Sequence, residues 1–165
     1  MKIEISIAEQ RLRLQAPDGL MFETDVSTAA NGPGEQEGSG CTPRGRHYIR
    51  AKIGAGAPLN AVFVGRRPTG EIYNETLARQ YPERDWILTR ILWLCGLEKG
   101  INRGGSVDTM RRYIYLHGCP DGLPMGKAAS HGCIRLRNED IVRLFDQVEV
   151  GTVVEIFEGG FHGTP

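Results

Sequence analysis

Two short segments each place an imidazole one glycine away from a thiol: His117-Gly118-Cys119 and Ser130-His131-Gly132-Cys133. A free thiol is only a few per cent ionised, roughly, at neutral pH, so a reactive cysteine needs a base or a positive charge beside it. His117 ends an alternating stretch, which fixes the direction of its ring. Gly132 leaves open backbone around Cys133, and bare main chain lets a substrate carbonyl approach N–H donors, as an oxyanion hole requires. The parts fit acyl transfer, with Cys133 as nucleophile and His117 as its base. A metal is the competing chemistry, because His117, Cys119, His131 and Cys133 form a legitimate zinc set. Paired structural ligands usually stand about two to five residues apart, however, and here one residue separates each pair. Neither a metal nor a cofactor is expected. The plainest alternative is buried thiols and solvated histidines. Cys95 fits it inside an apolar run, Cys41 reads as a loop thiol without a role, and His47 and His162 read as solvated.

The elements that must carry these residues read mostly as strands. Ile3, Ile5 and Ile7 alternate with Lys2, Glu4 and Ser6, which is strand periodicity. Leu12 and Leu14 continue it, Pro17-Asp18-Gly19 marks a turn, and 20–26 reads as a third strand. The segment 31–40, rich in glycine, reads as a flexible loop and lacks the Gly-Lys-Ser/Thr ending of a phosphate cradle. Strands are expected near 47–53 and 60–65, with a helical turn near 74–80. Residues 86–95 fit one side of a helix as well as a strand, but their Ile and Trp content favours a long strand. A strand is expected over 112–117, with Ile114 and Leu116 on one face and Tyr113, Tyr115 and His117 on the other. Asn138 reads as a capping residue ahead of Glu139 and Asp140, followed by Ile141, Leu144, Phe145 and Val148 at helical spacing. A last strand covers 152–157, and the tail 158–165 is expected to fray.

Composition narrows the class. Basic and acidic residues balance at 20 each, so nothing favours a general polyanion, and no nucleic-acid partner is expected. Hydrophobic content of 40% supports a sizeable core, while 22 glycines and nine prolines favour strands and turns over a helix bundle. No apolar run reaches the 18 or so residues of a membrane span, so no membrane anchor is expected. The N-terminus has no apolar core before a cleavage site, which leads to the expectation of a cytoplasmic protein, or a periplasmic one if a signal was removed. A monomer is expected.

The run Tyr113-Ile-Tyr-Leu-His-Gly118, followed by Ser130-His-Gly-Cys-Ile-Arg-Leu136 and Asn138-Glu-Asp140, resembles the L,D-transpeptidase catalytic domain, the YkuD family. Pro17-Asp18-Gly19, Val26-Ser27 and Thr42-Pro-Arg-Gly45 extend the resemblance over nearly the whole chain. It implies a mainly β fold with one or two helices, a YkuD-like β-sandwich. The expected catalytic domain spans 1–157, with an insertion at about 66–110 and a tail over 158–165. It also implies that Cys133 is the nucleophile, that His117 is the general base, and that the Gly118 carbonyl orients the imidazole. By the same resemblance Gly132 and Cys133 supply oxyanion N–H groups, while Ser130 and His131 shape the site. Arg135 is expected to position substrate through a carboxylate, which its planar fork suits. Arg103 and Arg90, with Arg111 and Arg112 nearby, are candidate anchors for an acidic peptide.

The family acts on peptidoglycan stem peptides, at the bond between the L-centre of meso-diaminopimelate and a terminal D-alanine. Attack by water on the acyl-enzyme gives an L,D-carboxypeptidase; attack by a stem-peptide amine gives a 3–3 cross-link. With no export signal in view, the expectation is a carboxypeptidase that trims muropeptides during recycling. A transpeptidase is the alternative, and a non-catalytic peptidoglycan-binding module is the alternative of another class.

Overall fold

A computed structural model describes residues 1–161. Along the chain run β1 (Lys2–Ser6), β2 (Arg11–Ala16), β3 (Gly19–Asp25), β4 (Gly45–Ile53), β5 (Ala61–Val64), β6 (Arg67–Ile72), α1 (Glu75–Gln80), β7 (Ile87–Gly96), β8 (Tyr115–Cys119), β9 (Ile134–Arg137), α2 (Asn138–Gln147) and β10 (Val153–Phe157). The strands hydrogen-bond into one continuous curled sheet. Its path is β3-β2-β1-β10-β4-β7-β5-β6, with β8 joined to β7 and β9 joined to β8. The mainly β class with two helices is as expected.

β7 explains why residues 86–95 looked ambiguous. It pairs with β4, β5 and β8 and is buried on both faces, so its sequence is a near-continuous apolar run rather than an alternation. Leu92 and Leu94 enter one core cluster, and Ile91 enters another with Phe63 and Tyr115. Of the segment 66–110 expected as an insertion, residues 87–96 are therefore central to the sheet; β6 and α1 form the peripheral part.

The larger core lies beneath α2. Ile141, Leu144 and Phe145 pack with Leu116, Ile134 and Leu136 of β8 and β9. Each such side chain contributes about 1.5–3 kcal/mol on burial. A helix of ten residues is marginal in isolation, so this packing is what holds it.

Five expectations need correction. The strand near His117 starts at Tyr115, because Asp108 ties the preceding residues into turns: its Oδ1 accepts from Arg111 N at 3.0 Å, and its carbonyl accepts from Arg112 N at 3.0 Å. Tyr113, at φ 57°, is an exposed turn residue. Asn138 does not cap α2; Arg137 occupies that position without a side-chain bond, and the Asn138 amide turns inward. His47 is fully buried, its Nδ1 3.0 Å from the Gly45 carbonyl and its Nε2 3.0 Å from Thr109 Oγ1. The loop 31–40 is pinned, with Arg112 donating to the carbonyls of Gly34 and Glu35. Residues 158–161 are packed rather than frayed: Ser6 Oγ donates to the Gly159 carbonyl at 2.7 Å, and Phe161 is buried against Phe157. The rest of the tail, including His162, lies outside the described residues. Among those described, no helix is long and apolar enough to cross a membrane.

Candidate active site

β8 and β9 run parallel, with Leu116 opposite Ile134 and His117 opposite Arg135. Opposed residues present side chains to the same face, so the rings of Tyr115 and His117 share a face with Arg135. Cys133 immediately precedes β9 and packs with Tyr115 and Ile91, and Ile91 is the register partner of His117 on β7. The fold therefore brings His117 and Cys133 to one face of neighbouring strands, two rows apart.

The tautomer of His117 follows from its partner. Its Nδ1 lies 2.6 Å from the Gly118 carbonyl oxygen, which only accepts, so Nδ1 carries the proton and Nε2 keeps a lone pair. Burial is the main reason that the ring's proton affinity is lowered; the bond to Gly118 and the nearby Asp85 act the other way. The imidazole is neutral at pH 7.

Gly118 is fixed by crowding rather than by turn geometry. A Cβ there would collide with Asn138 Oδ1 and stand 2.6 Å from the Leu88 carbonyl oxygen. Opposite this point β7 carries a bulge, with Leu88 paired to Gly118 and Ile91 to His117. Thr89 lies in the bulge at φ 76°, and its hydroxyl donates to Asn138 Oδ1 at 2.6 Å while accepting from Asn60 N at 3.0 Å. Asn138, expected as a cap, instead ties the start of α2 to this bulge.

Cys133 is half-buried. Its Sγ donates to the Tyr113 carbonyl at 3.4 Å and accepts from Tyr115 N–H at 3.3 Å. Burial pushes the thiol up to about 12, against a smaller lowering by the Tyr115 N–H. The turn before it is built from buried bonds. Ser130 Oγ donates to the Cys133 carbonyl at 2.6 Å and accepts from Gly132 N–H at 3.2 Å. Thr42 Oγ1 donates to the Gly132 carbonyl at 2.9 Å and accepts from Ala29 N at 2.9 Å, so the Thr-Pro-Arg-Gly segment clamps this turn. Gly132 has φ 133°, a conformation that favours glycine.

Around this centre, Asp85 and Arg66 are residues that the sequence did not single out; Asp85 is the one paired with Arg135. It lies 3.1 Å from Arg135 Nη2 and 3.3 Å from His131 Nδ1. Burial raises its carboxyl, but the positive groups around it outweigh that and hold it below the usual range. The buried Arg135 also donates to the Ala129 carbonyl at 3.2 Å. His131 is exposed. Arg90 is buried and donates to the carbonyls of Ala57 and Thr89, both at 2.7 Å. Arg103 is exposed on a separate turn, and neither Arg90 nor Arg103 lines the cleft that holds Cys133. That cleft, about 450 Å³, is lined instead by Arg66, Asp85, Arg112, Tyr113 and His131. A second cleft of about 560 Å³ lies across the Asp85–His131 pair, bounded by Tyr73, Arg84 and Trp86.

Cys119 is buried, donates to the Leu136 carbonyl at 3.4 Å and is pushed up to about 11 by burial. Among the described residues, no group of three His, Cys, Asp or Glu side chains is arranged to hold a metal ion.

The family model of the L,D-transpeptidase catalytic domain (YkuD) matches residues 1–156. The chain belongs to this family and is a cysteine enzyme of it. Probable L,D-transpeptidase YbiS of Escherichia coli K12 is 47% identical over 47 residues, covering 28% of this chain and 15% of that protein. Bd1075 of Bdellovibrio bacteriovorus superposes with a TM-score of 0.59 at 16% identity, over 96% of this chain and 48% of that one. L,D-transpeptidase 3 of Mycobacterium tuberculosis, solved with a faropenem-derived adduct, gives 0.57 at 17% identity, over 94% and 59%. These two likenesses establish the shared fold. The chain spans less than two thirds of each of these relatives.

Proposed function

We propose that this L,D-transpeptidase-family domain transfers an acyl group from a peptidoglycan stem peptide through Cys133. The observation that carries the proposal is the orientation of His117. With Nδ1–H held by the Gly118 carbonyl, Nε2 keeps the lone pair that can accept a proton. Nε2 takes the thiol proton, sulfur attacks the carbonyl of the L-centre of diaminopimelate, and the negative oxygen develops beside the Cys133 N–H. The Gly132 N–H joins it by leaving its long 3.2 Å bond to Ser130 Oγ for a stronger acceptor. Collapse breaks the C–N bond, and the amine of D-alanine departs with the proton from His117. A thioester remains. His117 then draws a proton from water, which attacks the thioester; the tripeptide carboxylate leaves and the thiol is restored. This outcome is an L,D-carboxypeptidase.

The cleft beyond the Asp85–His131 pair favours a second reading, in which a stem-peptide amine replaces water and a 3–3 cross-link forms. Incubation with a muropeptide tetrapeptide, followed by mass spectrometry, separates the readings. Tripeptide with free D-alanine is the expected product. Cross-linked dimer without tripeptide identifies the transpeptidase, and no turnover at all contradicts both.

A further inference from the structure

The guanidinium groups near Cys133 differ in how fully they are used. Arg135 and Arg90 bind the protein's own carboxylate and carbonyls. Arg112 lines the cleft but is engaged by the carbonyls of Gly34, Glu35 and Cys41 and by Ser39 Oγ, at 2.7–3.5 Å. Arg66 is different. The turn between β5 and β6 delivers it at φ 66° into the same cleft. Its guanidinium carbon rests 4.7 Å from the ring centres of both Trp93 and Tyr113. Nη1 donates to the Tyr115 hydroxyl at 2.9 Å.

Stacking on aromatic rings holds a guanidinium by its flat faces and consumes none of its donors. An arginine has about five N–H donors, all in the plane. Arg66 is therefore held in place with most of its planar fork unspent, in the cleft that Cys133 also lines. The carboxylate in the cleft, Asp85, is already bound by Arg135 and His131, so the remaining field there is positive.

We infer that Arg66 is the carboxylate-binding residue of the Cys133 cleft, selecting acyl substrates that carry a free carboxylate near the scissile bond. The fork matches a carboxylate in two parallel bonds, which a neutral amide cannot reproduce. The identity of that substrate as a stem peptide rests on the function proposed above; the carboxylate preference does not.

Iodoacetate and iodoacetamide are near-isosteric alkylating agents that differ by one negative charge. Their rates at Cys133, resolved from Cys41 by peptide mass spectrometry, read the preference directly on the full chain. In Arg66→Gln the iodoacetate rate should fall roughly five- to tenfold, with the iodoacetamide rate within about twofold of wild type. Arg66→Lys should fall between the two, keeping the charge without the fork. An unchanged ratio of the two rates in Arg66→Gln overturns the inference. So does an equal fall of both rates, which would reduce Arg66 to a support for Tyr115. A normal ratio shift in a protein that does not turn over the tetrapeptide would overturn the stem-peptide assignment and leave the carboxylate site standing.

Discussion

Cys133 rests as a neutral thiol, because burial pushes it up to about 12 and its bonds are to the backbone of Tyr113 and Tyr115. His117 rests as a neutral imidazole, lowered chiefly by burial. The proposed pair is thus a thiol and a base, not a preformed thiolate–imidazolium couple, and proton transfer accompanies attack. The sign of the pH dependence follows: His117 must be unprotonated to act, and its proton affinity in the fold is below the ordinary value. D-alanine release from the tetrapeptide, followed as kcat/KM against pH, should therefore lose activity on the acid side with a midpoint below about 6.5. A midpoint above that value contradicts a buried neutral base. Both residues were legible in the sequence because their glycine neighbours are local signals. Asp85 and Arg66 were not, since each reaches the cleft only through long-range pairing. Asp85 stands at the entry to β7, and Arg66 stands on a hairpin turn whose aromatic partners come from β7 and the turn before β8.

At the level of elements, the bulge in β7 and the crowding at Gly118 set where the imidazole points. Gly118→Ala would drive a methyl into Asn138 and the Leu88 carbonyl, displacing both strand and bulge. Overpacking of this kind costs about 1–3 kcal/mol, to be read by urea denaturation, and a cost near zero would mean the strands part easily. β4 supplies a second test through His47. Burial lowers that ring to about 4, against smaller opposing effects led by the Gly45 carbonyl. The unfolded chain takes up a proton near pH 6.5 that the folded chain refuses until near pH 4, so stability falls as pH drops through that window. Between pH 8 and pH 5 the loss from this residue is about 2 kcal/mol. His47→Gln should flatten the pH dependence by that amount; an unchanged slope would mean that the folded ring takes up its proton as readily as the unfolded chain and would contradict its burial as a neutral group. The burial of His47 was invisible in the sequence because Thr109, its buried partner, lies far along the chain. The strand identity of 86–95 was legible from composition, but its centrality was not, since an apolar run does not reveal how many neighbours a strand has.

Across the whole molecule, the continuous sheet explains how distant segments meet at one face. Thr42 from the loop before β4 clamps the Cys133 turn, Arg112 pins the 31–40 loop beside it, and Asp85 joins Arg135 to His131. The mainly β class and the course of most strands were readable from alternation and turns, because those depend on neighbours in sequence. The branching at β7, the packed residues 158–161 and the second cleft depend on pairings between distant segments. Asp85 and His131 line both clefts, so this pair forms the boundary between them. In the proposed reaction the peptide is carried on Cys133. Acid-quenching a reaction with tetrapeptide and mapping the adduct by peptide mass spectrometry tests it most directly. A tripeptide thioester is expected on Cys133, absent from Cys133→Ala and absent from Cys95 and Cys119. D-alanine release that persists in Cys133→Ala, or an adduct on another side chain, would contradict it.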